Sequence, residues 1–308
     1  MYEVHAHPIL QRYKAHVCSG ATVFNIATLA LTYILPLLVA YFSQGFWLKE
    51  STYREQPDVH FKHQMLILAH GTDANTLITY STFQNYNNLM SNHVRIPFIQ
   101  SYEVDDNRDG KNDKLNFEIQ VPIKGAENIH SIQILLFFDY KLHRFASVQM
   151  ESMAYVHYSS PLSGAEFSTE GDLALKQNFP LPHNSVYTVY NVPIVKNSSM
   201  SIEDYELRRI FTSYKSRNIS TDYISNYPVW KAGRNAESQF VIKGIIHYPE
   251  ETILYRPGFW QLIKVAWIQY LAVLFIFLFV FGAVRRLIFE NQIVLTVPQK
   301  VSVRTFQS

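Results

Sequence analysis

The chain has almost no cysteine, and two long stretches of it have no charge. Among 308 residues there is one cysteine, Cys18. Cys18 lies near the start of the chain, so the large middle region has no cysteine, cannot be stapled by disulfides and must hold itself by core packing. No Asp, Glu, Lys or Arg falls between Lys14 and Lys49, or between Lys264 and Arg285. The sequence also lacks G-x-S-x-G, H-E-x-x-H, C-x-x-C and a phosphate-cradling glycine loop. The common signatures of hydrolase, zinc, redox and nucleotide chemistry are therefore absent, and the expectation is a protein that is not an enzyme. There is no internal repeat and no low-complexity tract.

The uncharged stretches set the class of protein. Ala21–Phe42 and Val265–Val284 are each long enough to cross a bilayer as a helix, which takes about 20 apolar residues at 1.5 Å rise. A helix satisfies its own backbone hydrogen bonds in hydrocarbon, so two helical spans are expected. The alternative for the first run is a cleaved signal peptide. Its length and the bulky Tyr41–Gly45 segment argue for a retained anchor. The resulting plan is an N-terminal tail 1–20, a span 21–42, a domain 43–264, a span 265–284 and a C-terminal tail 285–308.

Charge is divided unevenly over this plan. The tails hold six of the 27 Lys+Arg and two of the 25 Asp+Glu, which leaves 21 and 23 for the middle. The tails are thus net positive and the domain net negative. Arg12, Lys14, Arg285 and Arg286 flank the spans on the tail side, which predicts cytosolic termini and an extracellular or luminal domain. The glycosylation acceptors Asn197-Ser-Ser and Asn218-Ile-Ser both fall in that domain. An acidic domain offers no basic face for nucleic acid. Cys18 stands just before the first span, where S-palmitoylation occurs, although an idle thiol fits as well.

Aromatic side chains mark the outer ends of the spans: Tyr41, Phe42, Phe46 and Trp47 at one, Trp260, Trp267 and Tyr270 at the other. Pro36 is expected to kink the first helix. Thr22, Asn25, Thr28 and Thr32 give that helix a polar stripe, suited to packing on a partner helix. The second span is Leu, Phe, Ile and Val, and reads as facing lipid.

Alternating patterns dominate the domain. They run over Val59–Ile67, Leu115–Val121 and Val148–Tyr158, with shorter candidates at Leu77–Ser81, Val94–Ile99, Leu173–Gln177, Val186–Tyr190 and Phe240–His247. Ile129–Tyr140 is nearly continuous in apolar residues, as a central strand would be. Together these predict a mainly-β, antiparallel sandwich-like domain. One helix is expected over Glu203–Arg217, where Leu207, Ile210, Phe211 and Tyr214 share helical spacing behind Ser201, Glu203 and Asp204. Ser43–Pro57 and Pro249–Lys264 read as brief linkers.

The strongest local signal for chemistry is Asp105-Asp106-Asn107-Arg108-Asp109-Gly110-Lys111-Asn112-Asp113. Counted from Asp105, oxygen donors fall at positions 1, 3, 5 and 9 (Asp105, Asn107, Asp109, Asp113). Gly110 provides the bend, and Lys111 can offer its carbonyl. Position 12 is Asn116 instead of a bidentate Glu, and the flanks read as strands, so this is no EF-hand. A structural calcium ion in a strand–loop–strand site and a solvated acidic turn remain equal alternatives. The domain histidines have no convincing metal spacing; His60 and His63 are expected on opposite faces of a strand.

Three functions fit the layout: a membrane scaffold, a two-pass ion-channel subunit, and a calcium-dependent extracellular binding module. Further segments narrow the choice. Tyr33-Ile-Leu-Pro-Leu-Leu-Val-Ala40, Gly45-Phe-Trp-Leu-Lys49 and Glu55-Gln-Pro57 resemble the transmembrane protein 231 family. So do Asp109-Gly-Lys111, Tyr140-Lys-Leu-His-Arg144, Ser152-Met-Ala154, Gly171-Asp-Leu173, Pro257-Gly-Phe-Trp260 and Ala266-Trp-Ile-Gln-Tyr270. The resemblance implies a component of the ciliary transition zone, within the Meckel-syndrome or tectonic-like membrane complex. It implies a role in the diffusion barrier that sets ciliary membrane protein composition, and so in ciliogenesis and Hedgehog signalling. Tectonics and meckelin are the implied partners, in a hetero-oligomer, and no catalytic residue is implied.

Overall fold

A computed structural model describes residues 11–43, 48–72, 76–125, 127–235 and 238–300. Phe46 and Trp47, expected as interfacial anchors, lie outside them. The chain divides into two units, one from the two ends (Met1–Lys49 with Pro257–Ser308) and one from Glu50–Arg256.

In the first unit, β1 (Gln11–Lys14) leads into the helix α1 (Gly20–Phe42). The central unit begins with β2 (Ser51–Glu55), β3 (Asp58–His70), β4 (Leu77–Ser81) and α2 (Gln84–Leu89). It continues through β5 (Phe98–Val104), β6 (Lys114–Val121), β7 (Ser131–Leu142), β8 (Ser147–Ser159), β9 (Gly164–Gln177) and β10 (Val186–Tyr187). A 3-10 turn at Ile202–Tyr205 precedes α3 (Leu207–Lys215), β11 (Ile219–Ser225), β12 (Val229–Ala232), β13 (Phe240–His247) and β14 (Glu251–Tyr255). The chain returns to the first unit with α4 (Phe259–Glu290) and β15 (Val297–Lys300).

Both α1 and α4 are long and apolar enough to cross a membrane, and α4 extends well beyond the uncharged run inside it. The buried residues of α1 are Ala21, Thr28, Thr32, Pro36 and Ala40, a single face at steps of seven and four. The second span covers this face, with Ala266 buried opposite and the Tyr270 hydroxyl donating to the Tyr33 carbonyl at 3.4 Å. Thr28 and Thr32 of the polar stripe therefore pack against the second span of the same chain, while Thr22 and Asn25 are half-buried. Thr28 and Thr32 donate back to the carbonyls of Phe24 and Thr28, at 2.8 and 2.7 Å, so neither hydroxyl is left bare in hydrocarbon. Pro36 lies inside the helix, buried on the same face.

The central unit is a sandwich with a helical layer outside it. One sheet has the order β10-β8-β7-β3-β4, the other β11-β9-β13-β6-β5, with β12 also on β9. Most pairings are antiparallel; β9–β13 and β8–β10 are parallel. The near-continuous apolar run of β7 has a direct cause. Ile132, Ile134, Leu136, Phe138 and Tyr140 face the inter-sheet core, while Leu135 and Phe137 face the opposite way. That outer face is covered by Phe83, Tyr86, Tyr205, Ile210 and Tyr214 from α2, the 3-10 turn and α3. A strand buried on both sides cannot alternate, and each fully buried large side chain contributes about 1.5–3 kcal/mol.

Several elements depart from expectation. The stretch read as a strand at Val94–Ile99 begins only at Phe98, because Pro97 has no N–H to give a ladder. The helix starts at Leu207: Glu203 and Asp204 belong to the 3-10 turn, and extended Glu206 separates the two. The segments read as linkers contain β2 and β14, which pair antiparallel from Glu251 opposite Glu55 to Tyr255 opposite Ser51. In β3, Phe61 pairs with Phe138 and Gln64 with Phe137, so Lys62 and His63 bulge, with His63 at φ 54°.

Candidate functional site at the acidic loop and the free sheet edge

The acidic loop joins β5 to β6 and closes on itself. Asp105 accepts the N–H of Arg108 at 2.6 Å through one oxygen and that of Gly110 at 3.0 Å through the other. Asn107 Oδ1 accepts from Asp109 N–H, and Asp109 Oδ1 from Lys111 N–H, both at 2.8 Å. Asp113 Oδ2 accepts from the N–H groups of Asp106 and Asn107 at 2.7 and 3.2 Å. Gly110 takes φ 88°, a backbone open to glycine and costly for most other residues. Arg108 is also left-handed, at φ 58°.

Asp105, Asn107, Asp109 and Asp113 are thus brought into one loop, where their oxygens serve as acceptors for its amides. Lys111 contributes its amine to the Gln56 carbonyl at 2.6 Å. Among the described residues, no three His, Cys, Asp or Glu side chains form a group that could hold a metal ion. The residue at position 12, Asn116, lies in β6 opposite Tyr102 and Ile245.

Distant residues fasten the loop. Gln56 Nε2 donates to Asp113 Oδ1 at 2.7 Å. Asn112 Nδ2 reaches the Val59 carbonyl at 3.2 Å and Glu103 Oε2 at 2.9 Å. The other oxygen of Glu103 accepts the Phe61 N–H at 2.7 Å and the Tyr248 hydroxyl at 3.2 Å. Burial, and then the adjacent Glu103 charge, push the Tyr248 phenol far up. Burial is the largest single influence on Asp113 and opposes its ionisation. The N–H groups of Asp106 and Asn107, the Gln56 amide and the Lys114 charge outweigh it, and hold Asp113 below the usual carboxylate range. Nothing in the sequence marked Gln56 or Glu103 as an anchor of this loop, because Asp113, Phe61 and Tyr248 lie 42 to 145 residues from them along the chain.

Beside the loop, β5 is a sheet edge. It pairs with β6 on one side and has no strand on the other among the described residues. Phe98 and Tyr102 are 62% and 57% exposed on one face of this strand, and Ile96 just before it is 76% exposed. A second surface is a groove of about 730 Å³ beside α3 and β11, lined by Tyr155, Phe211, Tyr223 and Ile224.

The remaining sequence-marked residues are scattered. Asn197 is exposed, with its carbonyl accepting from Asn85 Nδ2 at 2.8 Å. Asn218 is half-buried, and its Oδ1 accepts the Phe179 N–H at 2.9 Å. Cys18 is exposed directly before the first span. His60 lies 3.1 Å from one oxygen of Asp58, whose other oxygen is 3.9 Å from His143.

Comparison with known proteins adds the following. The profile of the family described as Transmembrane protein 231 matches residues 1–298. The chain is 44% identical over 297 residues to Transmembrane protein 231 of Xenopus tropicalis, covering 96% of this chain and 95% of that protein. It is 42% identical over 305 residues to Transmembrane protein 231 of Homo sapiens, covering 99% and 96%. Among solved structures, a proton-activated chloride channel is 10% identical, with coverage of 89% of this chain and 100% of that one. Its TM-score of 0.24 is too low to bear on fold or function.

Proposed function

The chain belongs to the transmembrane protein 231 family, and from that premise we propose that it is a non-enzymatic scaffold of the ciliary transition-zone membrane. In this reading both termini are cytosolic, and the sandwich stands outside, on the extracellular side. The spans hold the sandwich at the ciliary base. There it assembles with tectonics and meckelin into a lateral barrier that limits which membrane proteins enter the cilium, with consequences for ciliogenesis and Hedgehog signalling.

The observation that supports assembly is the β5 edge. An exposed strand edge offers a row of backbone donors and acceptors to another chain, and soluble proteins usually blunt such edges with charge or cover. Here the edge carries Ile96, Phe98 and Tyr102 on display. A partner strand laid along β5 would satisfy its backbone and bury these side chains, a recurring mode of recognition.

The test is recovery of the native complex from ciliated cells expressing tagged chain. Phe98→Glu with Tyr102→Glu should keep the protein folded yet reduce co-purified tectonic and meckelin, and should disperse the tag from the ciliary base. Full recovery and unchanged localisation of this double variant would remove β5 as the contact. A wild-type tag absent from the ciliary base would remove the transition-zone reading itself.

A further inference from the structure

A small polar cavity lies at the tail-side end of the two spans, within the first unit. It measures about 310 Å³ and is lined by Tyr13, Ala15, Ala21, Thr22, Asn25, Arg285, Phe289 and Thr296. Three separate parts of the chain build it. The first turns of α1 supply Thr22 and Asn25, the last turns of α4 supply Arg285 and Phe289, and the tails supply Tyr13 and Thr296. The antiparallel pairing of β1 with β15, with Tyr13 opposite Pro298, ties the two tails together beneath the helices. Tyr13 stacks on Phe289 with centroids 6.0 Å apart, and Phe24 meets the same ring edge-on at 6.2 Å, which makes one wall aromatic.

The Thr22 hydroxyl donates to the His16 carbonyl at 2.8 Å, but two other polar groups here lack partners. Asn25 Oδ1 and Thr296 Oγ1 are buried and make no hydrogen bond. Arg285 is half-buried and in no ion pair among the described residues, and no carboxylate lines the cavity. Buried polar atoms without partners cost about 1–3 kcal/mol each, so such a group in a built cavity is a sign of a missing ligand. Arg285 is the first charge after the uncharged run Val265–Val284, which sets it at the depth of lipid headgroups. Ala21 and Thr22 belong to the first turn of α1, where the positive end of the helix dipole adds to the Arg285 charge.

We propose that this cavity binds the phosphate of an anionic phospholipid whose headgroup also carries hydroxyls. The Arg285 guanidinium pairs with phosphate oxygens through its fork of donors, and the Thr296 hydroxyl donates to the same group. Asn25 Oδ1, an acceptor, takes a headgroup hydroxyl. The phosphate chemistry is shared by lipid and free ion. A bound lipid would fix the tails and the helix pair in one arrangement at the membrane surface.

The test uses the full chain in phosphatidylcholine nanodiscs, titrated with dioctanoyl phosphatidylinositol, with bound lipid counted by native mass spectrometry. One lipid per chain is expected. Arg285→Gln should weaken its binding about five- to tenfold, the scale of one arginine at an anionic surface. Arg286→Gln should leave binding unchanged, because Arg286 is exposed and does not line the cavity. No loss in R285Q, or equal losses in R285Q and R286Q, would overturn the site. If R285Q fails to fold, Asn25→Leu with Thr296→Val carries the test, and an undiminished lipid count there overturns it. Displacement by millimolar inorganic phosphate would keep the phosphate chemistry and assign it to the free ion; resistance to displacement assigns it to the lipid.

Discussion

The Tyr214 hydroxyl sits 2.9 Å from Thr221 Oγ1 and accepts the N–H of the same threonine at 2.8 Å. It also receives the Met153 N–H at 3.3 Å. One phenol thus joins the helical layer to strands of both sheets, and burial pushes its pKa up, against the opposing effect of these bonds. Tyr214→Phe keeps the ring and removes the junction. It should cost about 1–3 kcal/mol, since two buried N–H groups lose an acceptor. Denaturant midpoints would check this; an unchanged midpoint would show that the layer is held by apolar packing alone.

Gly171 has a Cβ position 2.2 Å from the Ile224 carbonyl oxygen, in the strand paired with it. Backbone cannot swing aside as a side-chain tip can. Gly171→Ala should therefore separate β9 from β11 and cost about 1–3 kcal/mol or more. At about 2–4 °C per kcal/mol for a domain of this size, a thermal melt resolves it.

Asp113 should act through pH. Its carboxyl is held below the ordinary range in the folded state, so its contribution is complete above the unfolded value of about 4. The contribution is lost as pH falls through the folded value. Asp113→Asn should lower Tm at pH 7, and the gap to wild type should close below pH 4. A gap independent of pH would mean that shape, not charge, is what the loop needs.

Calcium can be asked of the same loop. Because the loop amides already satisfy Asp105, Asn107, Asp109 and Asp113, removal of divalent ions with a chelator should leave Tm unchanged. A rise of several degrees in millimolar calcium, abolished by Asp105→Ala with Asp109→Ala, would instead assign the loop to a structural ion.

The two sequons should separate. Asn197→Gln should shift electrophoretic mobility by one glycan and leave stability unchanged. Asn218→Gln should in addition destabilise by about 1 kcal/mol, because Oδ1 holds the Phe179 N–H. Equal stability of the two variants would place that bond outside the fold's energetics.

The sequence by itself determined whatever depends on near neighbours. Two uncharged runs made spans, and alternation gave the long strands β3, β6 and β8. The nearly continuous run Ile129–Tyr140 declared a central strand, and Leu207, Ile210, Phe211 and Tyr214 declared a helix face. Each of these signals is written within about twenty residues by burial of one side or two. Only the tertiary structure decided which surfaces meet. The strands β2 and β14 are five residues each and lie about 200 positions apart, so neither carried a readable pattern until paired. Gln56 and Glu103 became anchors of the acidic loop, and the polar stripe of α1 met the second span. Arg285, Asn25 and Thr296 came to share one cavity. Hydrogen bonds and packing act across a few ångströms of space, whereas periodicity acts along the chain, and only folding converts one distance into the other.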